Sequence, residues 1–539
     1  MQTRRPRWNW FTLALLALLP PAFAQGPLTP PGPPGETMKS LDQVEPRTLI
    51  ARAPFTIDKP GSYYLAASLE DTVTIEADDV TLDLMGFAIV STYEAVDFPR
   101  SQSNIVVRNG TLKGSTALDA REMVNAHCLF EDLRVEGASF GIYAGSGCVI
   151  RNCDIRGSSI SGIRIARGTN SAVLDCRVLD NPGTGIDATG KGVQVAGNVV
   201  RGNKANYSFS QGHYLNLLLC EVPETISWPA SIIFAGTLAC TNPVVHGISI
   251  EADNVSIDLA GHSLIGPGVN SGNGISQAGQ WRNLQVRNGS LVHWRGLDHG
   301  GIYANGPNNQ FSALHATSNF YGLYSGPGTR MENCTASANT EDGLHALNGS
   351  SLSGCTAWSN DYGIVAGEAS TLSDCAARQN LAYGITVEYG SSIQNCTASK
   401  NGQYGFRLLD HSTAVNCSAF ENGLDGIYAG IGNLVSGCIA SRNSTNGISV
   451  DARCWVSGNT CDANDSSGAG ILARGSYNRI QDNHLTGNGT GLRLADTNNF
   501  AVRNSAFGNY VNFAYGAGNL VGTLQPAVAG AGPWDNFTR

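Results

Sequence analysis

The sequence predicts an all-β fold: a parallel β-helix solenoid with about 21 residues per coil, built as two tandem modules. Three observations carry this. A Gly-plus-apolar pair recurs at a nearly constant step. The stretches between are short alternating apolar runs broken by Gly, Asn, Ser and Asp. A block near the N-terminus returns later in the chain without a gap.

The chain opens with Arg4, Arg5 and Arg7, then the apolar run "WFTLALLALL", then Ala22–Ala24 in an A-x-A arrangement. This order reads as a signal peptide over residues 1–24, cleaved after Ala24. The run is shorter than the roughly 20 apolar residues a membrane-spanning helix needs. No later stretch approaches that length, so no integral membrane segment is expected after cleavage. The expected location is outside the cytoplasm: secreted, periplasmic or on the surface of a bacterium. Residues 25–54 are Pro/Gly-rich at their start and read as a linker and N-terminal cap.

The repeat begins at about residue 55. The mark appears at Gly141-Ile142, Gly162-Ile163 and Gly185-Ile186 and resumes at Gly301-Ile302. From there to Gly491-Leu492 the step is 20 to 23 residues, mostly 21. A unit of that size cannot bury its own apolar face, so units must stack. Runs such as "GIYAG", "GITVE" and "GISVD" alternate with a period of two, which is strand chemistry, and the residues between them are turn formers. Three short strands and three turns fill one coil, and coils stack about 4.8 Å apart. Residues one repeat apart then lie above one another. The column Asn319, Asn339, Asn360, Asn380, Asn401, Asn422 and Asn443 is expected to form an interior amide ladder.

Two modules follow from the internal match. "FTIDKPGSYYLAASL" (55–69) aligns with "ETISWPASIIFAGTL" (224–238), and "TIEADDVTLDLMGFAIV" (74–90) with "SIEADNVSIDLAGHSLI" (249–265). The expected boundaries are 55–205 for the first module and 206–520 for the second, with a tail at 521–539. Glu76 matches Glu251, and Asp83 matches Asp258. These acids suit turns of the first coils, and a twin site is the alternative.

Composition narrows the partners. The net charge is −9, and no basic run follows the N-terminus, so no nucleic-acid partner is expected. Fourteen Cys in an exported chain raise the question of disulfides. Cys334, Cys355, Cys375, Cys396, Cys417 and Cys438 form a column whose Cβ vectors point the same way, which resists bridge geometry. They are expected to be buried thiols. The expected bridges lie outside the column, at Cys220–Cys240 and Cys454–Cys461. No C-x-x-C or H-x-x-x-H spacing occurs, so neither a metal nor another cofactor is expected.

Chemistry is expected on an outward sheet face. There Tyr303, Tyr324 and His345 form one column, and the residues just before each Gly form a second, including Tyr321, Asp342, Tyr362, Tyr383 and Tyr404. Stacked tyrosines offer sugar rings an apolar face with a polar rim. The densest polar group is "HWRGLDHGGIY" (293–303). Its His293 and Trp294, with Tyr303 and Tyr324, are the expected substrate-binding residues. Asp298, His299, Asp342 and His345 are the candidate catalytic groups. Asp298 and Asp342 fall two coils apart, roughly 10 Å, beyond the separation of a retaining glycosidase pair. The matching segment of the first module, "LKGSTALDA" (112–120), keeps Asp119 but lacks Trp and His, so that module is expected to be inert.

The "NCTASxNxxYGI" repeat resembles the right-handed parallel β-helix repeat of the pectate-lyase-like superfamily. The opening "LTPPGPPGETMKSLDQVEPRT…FTIDKPGSYYL" is similar to that of secreted β-helix-repeat proteins of environmental bacteria. The resemblance implies a right-handed coil and leaves activity open, because the superfamily holds lyases, hydrolases, adhesins and inert rods. "DHGG" resembles the His-Gly element of polygalacturonase-type hydrolases, whose Asp-Asp pair and Arg-x-Lys element are absent here. Three functions follow as expectations. The first is binding or processing of extracellular polysaccharide or a cell-surface glycan. The alternatives are a polysaccharide lyase or glycoside hydrolase, and a non-catalytic adhesive rod.

Overall fold

The computed structural model describes residues 47–165, 169–209, 214–526 and 530–539. The expected signal peptide, and the linker up to residue 46, lie outside these residues. The described chain from Thr48 onward is one compact unit. Its elements are all β-strands, and among the described residues there is no helix long and apolar enough to cross a membrane.

One coil shows the plan. It runs through Leu344–Ala346, Ser351–Ser353 and Thr356–Trp358 before Ile364–Ala366 starts the next. Each strand pairs in parallel with its counterpart one coil away, as Leu344 with Ile364 and Thr356 with Ala376. The first strand of each coil joins a 14-stranded sheet, and the other two join a 40-stranded sheet. Towards the N-terminus the first-strand face is an 8-stranded sheet ending at Ala205–Phe209, and the 14-stranded sheet starts at Glu224–Ile226. Across that break the other face continues, from Gln194–Arg201 through Tyr214–Leu219 to Ser231–Phe234.

The short strands are set by alternation. In Ile427–Ala429 the outer two side chains are fully buried and Tyr428 between them is half-exposed. The coil turns because the residue before each interior corner is left-handed. Asn333, Asp374, Asn395 and Asn416 have φ of +52° to +55°, and Gly354 and Gly437 take the same place at +61° and +65°. Asn, Asp and Gly enter that region at least cost, which explains the repeated "NC" and "GC" pairs.

Ladders fill the corners. Asn339 donates from Nδ2 to Asn360 Oδ1 at 2.9 Å, and the same step recurs from Asn380 to Asn401 and from Asn401 to Asn422. The ladder runs on through Asn443 and Asn464 to Asn488. A second corner holds the Cys column, continued by Asn459, Asn483 and Asn504. Buried amides are satisfied only because every neighbour repeats them.

All the column thiols are 0–2% exposed. The two expected disulfides are absent: Cys220, Cys240, Cys454 and Cys461 are free thiols. The reason is their place in the coil. Cys454 caps a corner, with its backbone N–H donating to Asn478 Oδ1 and its thiol to Gly430 O. Cys461 instead stacks between Ala440 and Leu485 inside the next strand. Cys220 likewise follows Tyr214–Leu219 at one corner, and Cys240 follows the later strand Leu238–Ala239.

The matched aspartates of the two modules, Asp83 and Asp258, end the strands Val80–Asp83 and Ser256–Asp258 and hold the turns that follow. Asp83 accepts from Met85 N, Asn109 Nδ2 and Arg108 Nε. Asp258 accepts from Ala260 N, Asn288 Nδ2 and Arg287 Nε in the same arrangement. Each carboxylate is consumed by its own corner.

Candidate functional site

The outward face of the 14-stranded sheet carries a stripe of aromatic rings. Parallel register places Tyr303 beside Tyr324 and Tyr324 beside His345. Tyr303 and Tyr324 stack at 4.6 Å with 13° between planes, and the His345 ring follows at 4.5 Å. Tyr321 leans on both tyrosines and is met edge-on by Phe320. Farther along, Tyr362, Tyr383 and Tyr404 continue one above another at 5.3 and 5.5 Å, and Tyr404 reaches Tyr428 at 5.3 Å. Every ring of this stripe is half-buried, so each offers part of its surface to solvent.

The polar groups on the stripe are fixed. Asp342 Oδ2 lies 2.5 Å from His345 Nδ1, which orients the imidazole and leaves Nε2 for other contacts. Burial, then the Asp342 charge, pushes the Tyr321 phenol up to about 12, and burial raises Tyr324 and Tyr404 as well. These phenols stay neutral at physiological pH and present O–H groups. At the far end Asp425 is 1% exposed. It accepts from Thr445 Oγ1, Asn446 N, Asn446 Nδ2 and Arg474 Nη2. The Arg474 guanidinium also covers Tyr428, whose hydroxyl donates to Asp451. Arg407 lies over Tyr383.

The structure brings together Tyr303, Tyr324, Asp342 and His345. It does not add Trp294, which is fully buried with Nε1 donating to Leu264 O at 3.2 Å. A Cβ on Gly266, Gly274 or Gly247 would sit 2.7, 2.8 or 2.9 Å from its ring, so three glycines make the socket. The cause is His293, left-handed at φ +66°, which reverses the inward-outward alternation just before Trp294. The register of the neighbouring strand shifts at the same level, between Ile265 and Gly268. His293 itself is exposed at the end of Gln285–Arg295 in the 40-stranded sheet, not on the tyrosine face. Asp298 is an exposed left-handed turn residue, and the His299 ring faces His246 at 5.8 Å. Arg474 and Asp451, which complete the far end, had no column to announce them.

A family described as "Right handed beta helix region" matches residues 56–217 and 273–419, more than half of the chain. The chain belongs to the right-handed β-helix family. Within this β-helix, residues 409–524 also match a family described as "Periplasmic copper-binding protein (NosD)". No curated protein matches it significantly. Among solved structures it is similar to the Dettilon tailspike protein at 13% identity, TM-score 0.31, over 65% of this chain and 62% of the tailspike. It therefore spans less than two thirds of the tailspike's length. It is similar to the A-module of the Azotobacter vinelandii mannuronan C-5 epimerase AlgE4 at 12% identity, TM-score 0.30, over 82% and 90% of the two chains. The periplasmic alginate epimerase AlgG matches at 14% identity, TM-score 0.33, over 58% and 77%. At these values the likeness reaches no individual residue.

Copper would need soft or imidazole donors converging within 409–524. His411 and His484 are the histidines there, and the stretch has no Met. His411 sits in a left-handed turn, and His484 bonds Ser505 from a strand of the other sheet. Cys417 and Cys438 are interior and follow the stacking axis. Among the described residues no three His, Cys, Asp or Glu side chains converge as a metal site. The matched residues do not fit copper.

Proposed function

We propose that this β-helix is an exported protein that holds an extended polysaccharide along the tyrosine stripe of its 14-stranded sheet. One observation carries the reading: the half-exposed rings repeat along the stacking axis, from Tyr303 to Tyr428. A long chain of similar sugars is the ligand such a periodic surface suits. Each sugar presents its C–H face to a ring and its hydroxyls to the flanking Asp, His, Arg and phenol groups. Export rests on the signal-like residues 1–24.

The test is affinity electrophoresis in gels cast with neutral or acidic polysaccharides. Wild type should be retarded by at least one. Tyr303→Ala/Tyr324→Ala and Tyr383→Ala/Tyr404→Ala should each weaken binding about tenfold or more, at the energy of about two ring contacts. Unchanged mobility of both variants, or no retardation of wild type, overturns the reading.

The Asp342–His345 pair favours a second reading, in which the same face also cleaves the chain. A carboxylate-held imidazole beside Tyr324 is suited to proton transfer. Release of unsaturated products or reducing ends, lost in His345→Ala, would establish it. Retardation without product would confine the protein to binding.

A further inference from the structure

The tyrosine stripe is not uniform in charge. At the level of Tyr321 and Tyr362 it is acidic. Burial, then Asp342, Glu341 and Asp298, raises the Tyr321 phenol, and burial, then Asp361, raises Tyr362. Burial, then Asp361, Asp342 and Asp298, raises the Glu341 carboxyl, so these acids crowd one another. Among the described residues Asp298, Glu341 and Asp361 have no ion-pair partner, and Asp342 has only His345.

Two coils farther on, the sign reverses. Arg407 stands in Phe406–Leu408, paired in register with Thr386 and Tyr428, and its outward side chain is half-buried. Its guanidinium lies over the Tyr383 ring at 5.6 Å. It makes no hydrogen bond or ion pair among the described residues, although an Arg carries five N–H donors in a fixed fork. The other cations of this face are spent or lie outside the stripe. Arg474 is held by Asp425 at 3.1 Å. Arg493 falls three coils beyond Tyr428, past the last ring. Arginines elsewhere on the surface are neutralised by neighbours, as Arg330 by Glu332 and Arg503 by Asp482.

Two coils of rise separate the acids from Arg407 by roughly 10 Å. That is about one screening length at physiological salt, so each region acts mainly on the sugar in front of it.

We infer that Arg407 is the specificity-determining residue of the stripe, which takes a mostly neutral polysaccharide with isolated uronate units, one carboxylate seated on Arg407 and neutral sugars lying over Tyr303 to Tyr362. The inference rests on the reading of the stripe as a polysaccharide site. A polyuronate would set carboxylates against Glu341 and Asp361, where like charges repel. A wholly neutral chain would offer the guanidinium only hydroxyls. A carboxylate matches its fork with two parallel charge-assisted bonds, while the Tyr383 ring backs the guanidinium plane.

Isothermal titration of the purified protein with soluble fragments of three chains tests this. The fragments are gellan, whose single uronates stand among neutral sugars, the same gellan after chemical reduction of its carboxyl groups, and polygalacturonate. Wild type should bind native gellan about tenfold or more tightly than reduced gellan, the worth of a charge-assisted bond. It should also prefer native gellan to polygalacturonate. Arg407→Gln should bring native and reduced gellan to within about twofold of each other. Glu341→Gln/Asp361→Asn should tighten polygalacturonate about threefold or more and leave the native-to-reduced ratio as in wild type. The inference is overturned by equal binding of the two gellans, by a preference for polygalacturonate, by a native-to-reduced ratio that survives Arg407→Gln, or by no gain for polygalacturonate in the double variant. Failure to bind any of the three fragments also overturns it. In that case retardation by another polysaccharide would leave the stripe reading standing, and retardation by none would remove both.

Discussion

Asn401 donates from Nδ2 to Asn422 Oδ1 at 2.9 Å, twenty-one residues ahead, while its own Oδ1 accepts from Asn380 Nδ2 at 2.9 Å. Its Nδ2 also reaches Ala377 O, and its Oδ1 takes the Asn380 backbone N–H. Each amide is therefore both a corner brace and a link between coils. Asn401→Leu strands groups on Asn380, Asn422 and Ala377 inside the core. Each stranded group costs about 1–3 kcal/mol, so the variant should unfold at clearly lower urea. A midpoint equal to wild type would mean that the ladder bears no load.

The thiol columns make a second prediction. Of fourteen Cys, only Cys220 is partly exposed, and none is bridged. Native protein treated with a thiol reagent without prior reduction should label at Cys220 alone. All fourteen should label after denaturation. Mass spectrometry locating a Cys220–Cys240 or Cys454–Cys461 bridge would restore the pairing that the sequence suggested.

What the sequence made legible is what repeats. The interior places of Asn401 and Cys396 follow from period alone, since any residue that recurs at each coil must face the same environment. Trp294 was illegible because one left-handed residue, His293, turned the alternation over, and single-residue conformations leave no periodic trace. Arg474 meets Asp425 across 49 residues. It reaches there from a coil lengthened to 23 residues, where the column count slips. The cavity at the break between the two first-strand sheets, lined by Tyr207 and Glu224, was hidden for another reason: it exists only because one sheet face is interrupted and the other is not. The pairing of Asp342 with His345 lay within reach, as neighbours three apart on one strand edge.

The Asp425–Arg474 pair gives a third prediction. Asp425 is buried, and Arg474 supplies its only charged partner among the four donors that reach it. Arg474→Met leaves a buried carboxylate with three neutral donors. That should cost about 1–3 kcal/mol in urea unfolding, because a buried charge without its counter-ion is worse than no charge. Adding Asp425→Asn to the same chain should recover part of the loss. If the double variant is less stable than Arg474→Met by the full cost of Asp425→Asn alone, the two residues are not coupled.

The last prediction uses the sign of the Glu224 shift. Burial, then the charge of Glu221, raises its carboxyl to about 7, against the hydrogen bond from Asn206 that lowers it. Tyr207, His246 and Lys204 are the other titratable groups on the same cavity wall. In the unfolded chain the group returns to its ordinary value of about 4.3. Between these two values the folded protein holds a proton that the unfolded chain releases, so stability falls as pH rises through the window. Below about 4.3 both states are protonated and the effect vanishes, and above about 7 both are ionised and the loss is complete. Glu224→Gln keeps an amide in place of the acid and removes this titration. Its urea midpoint should match wild type near pH 4 and exceed it at pH 8. Equal midpoints at pH 8, or a variant less stable there than wild type, would show that Glu224 is ionised without penalty in the folded protein.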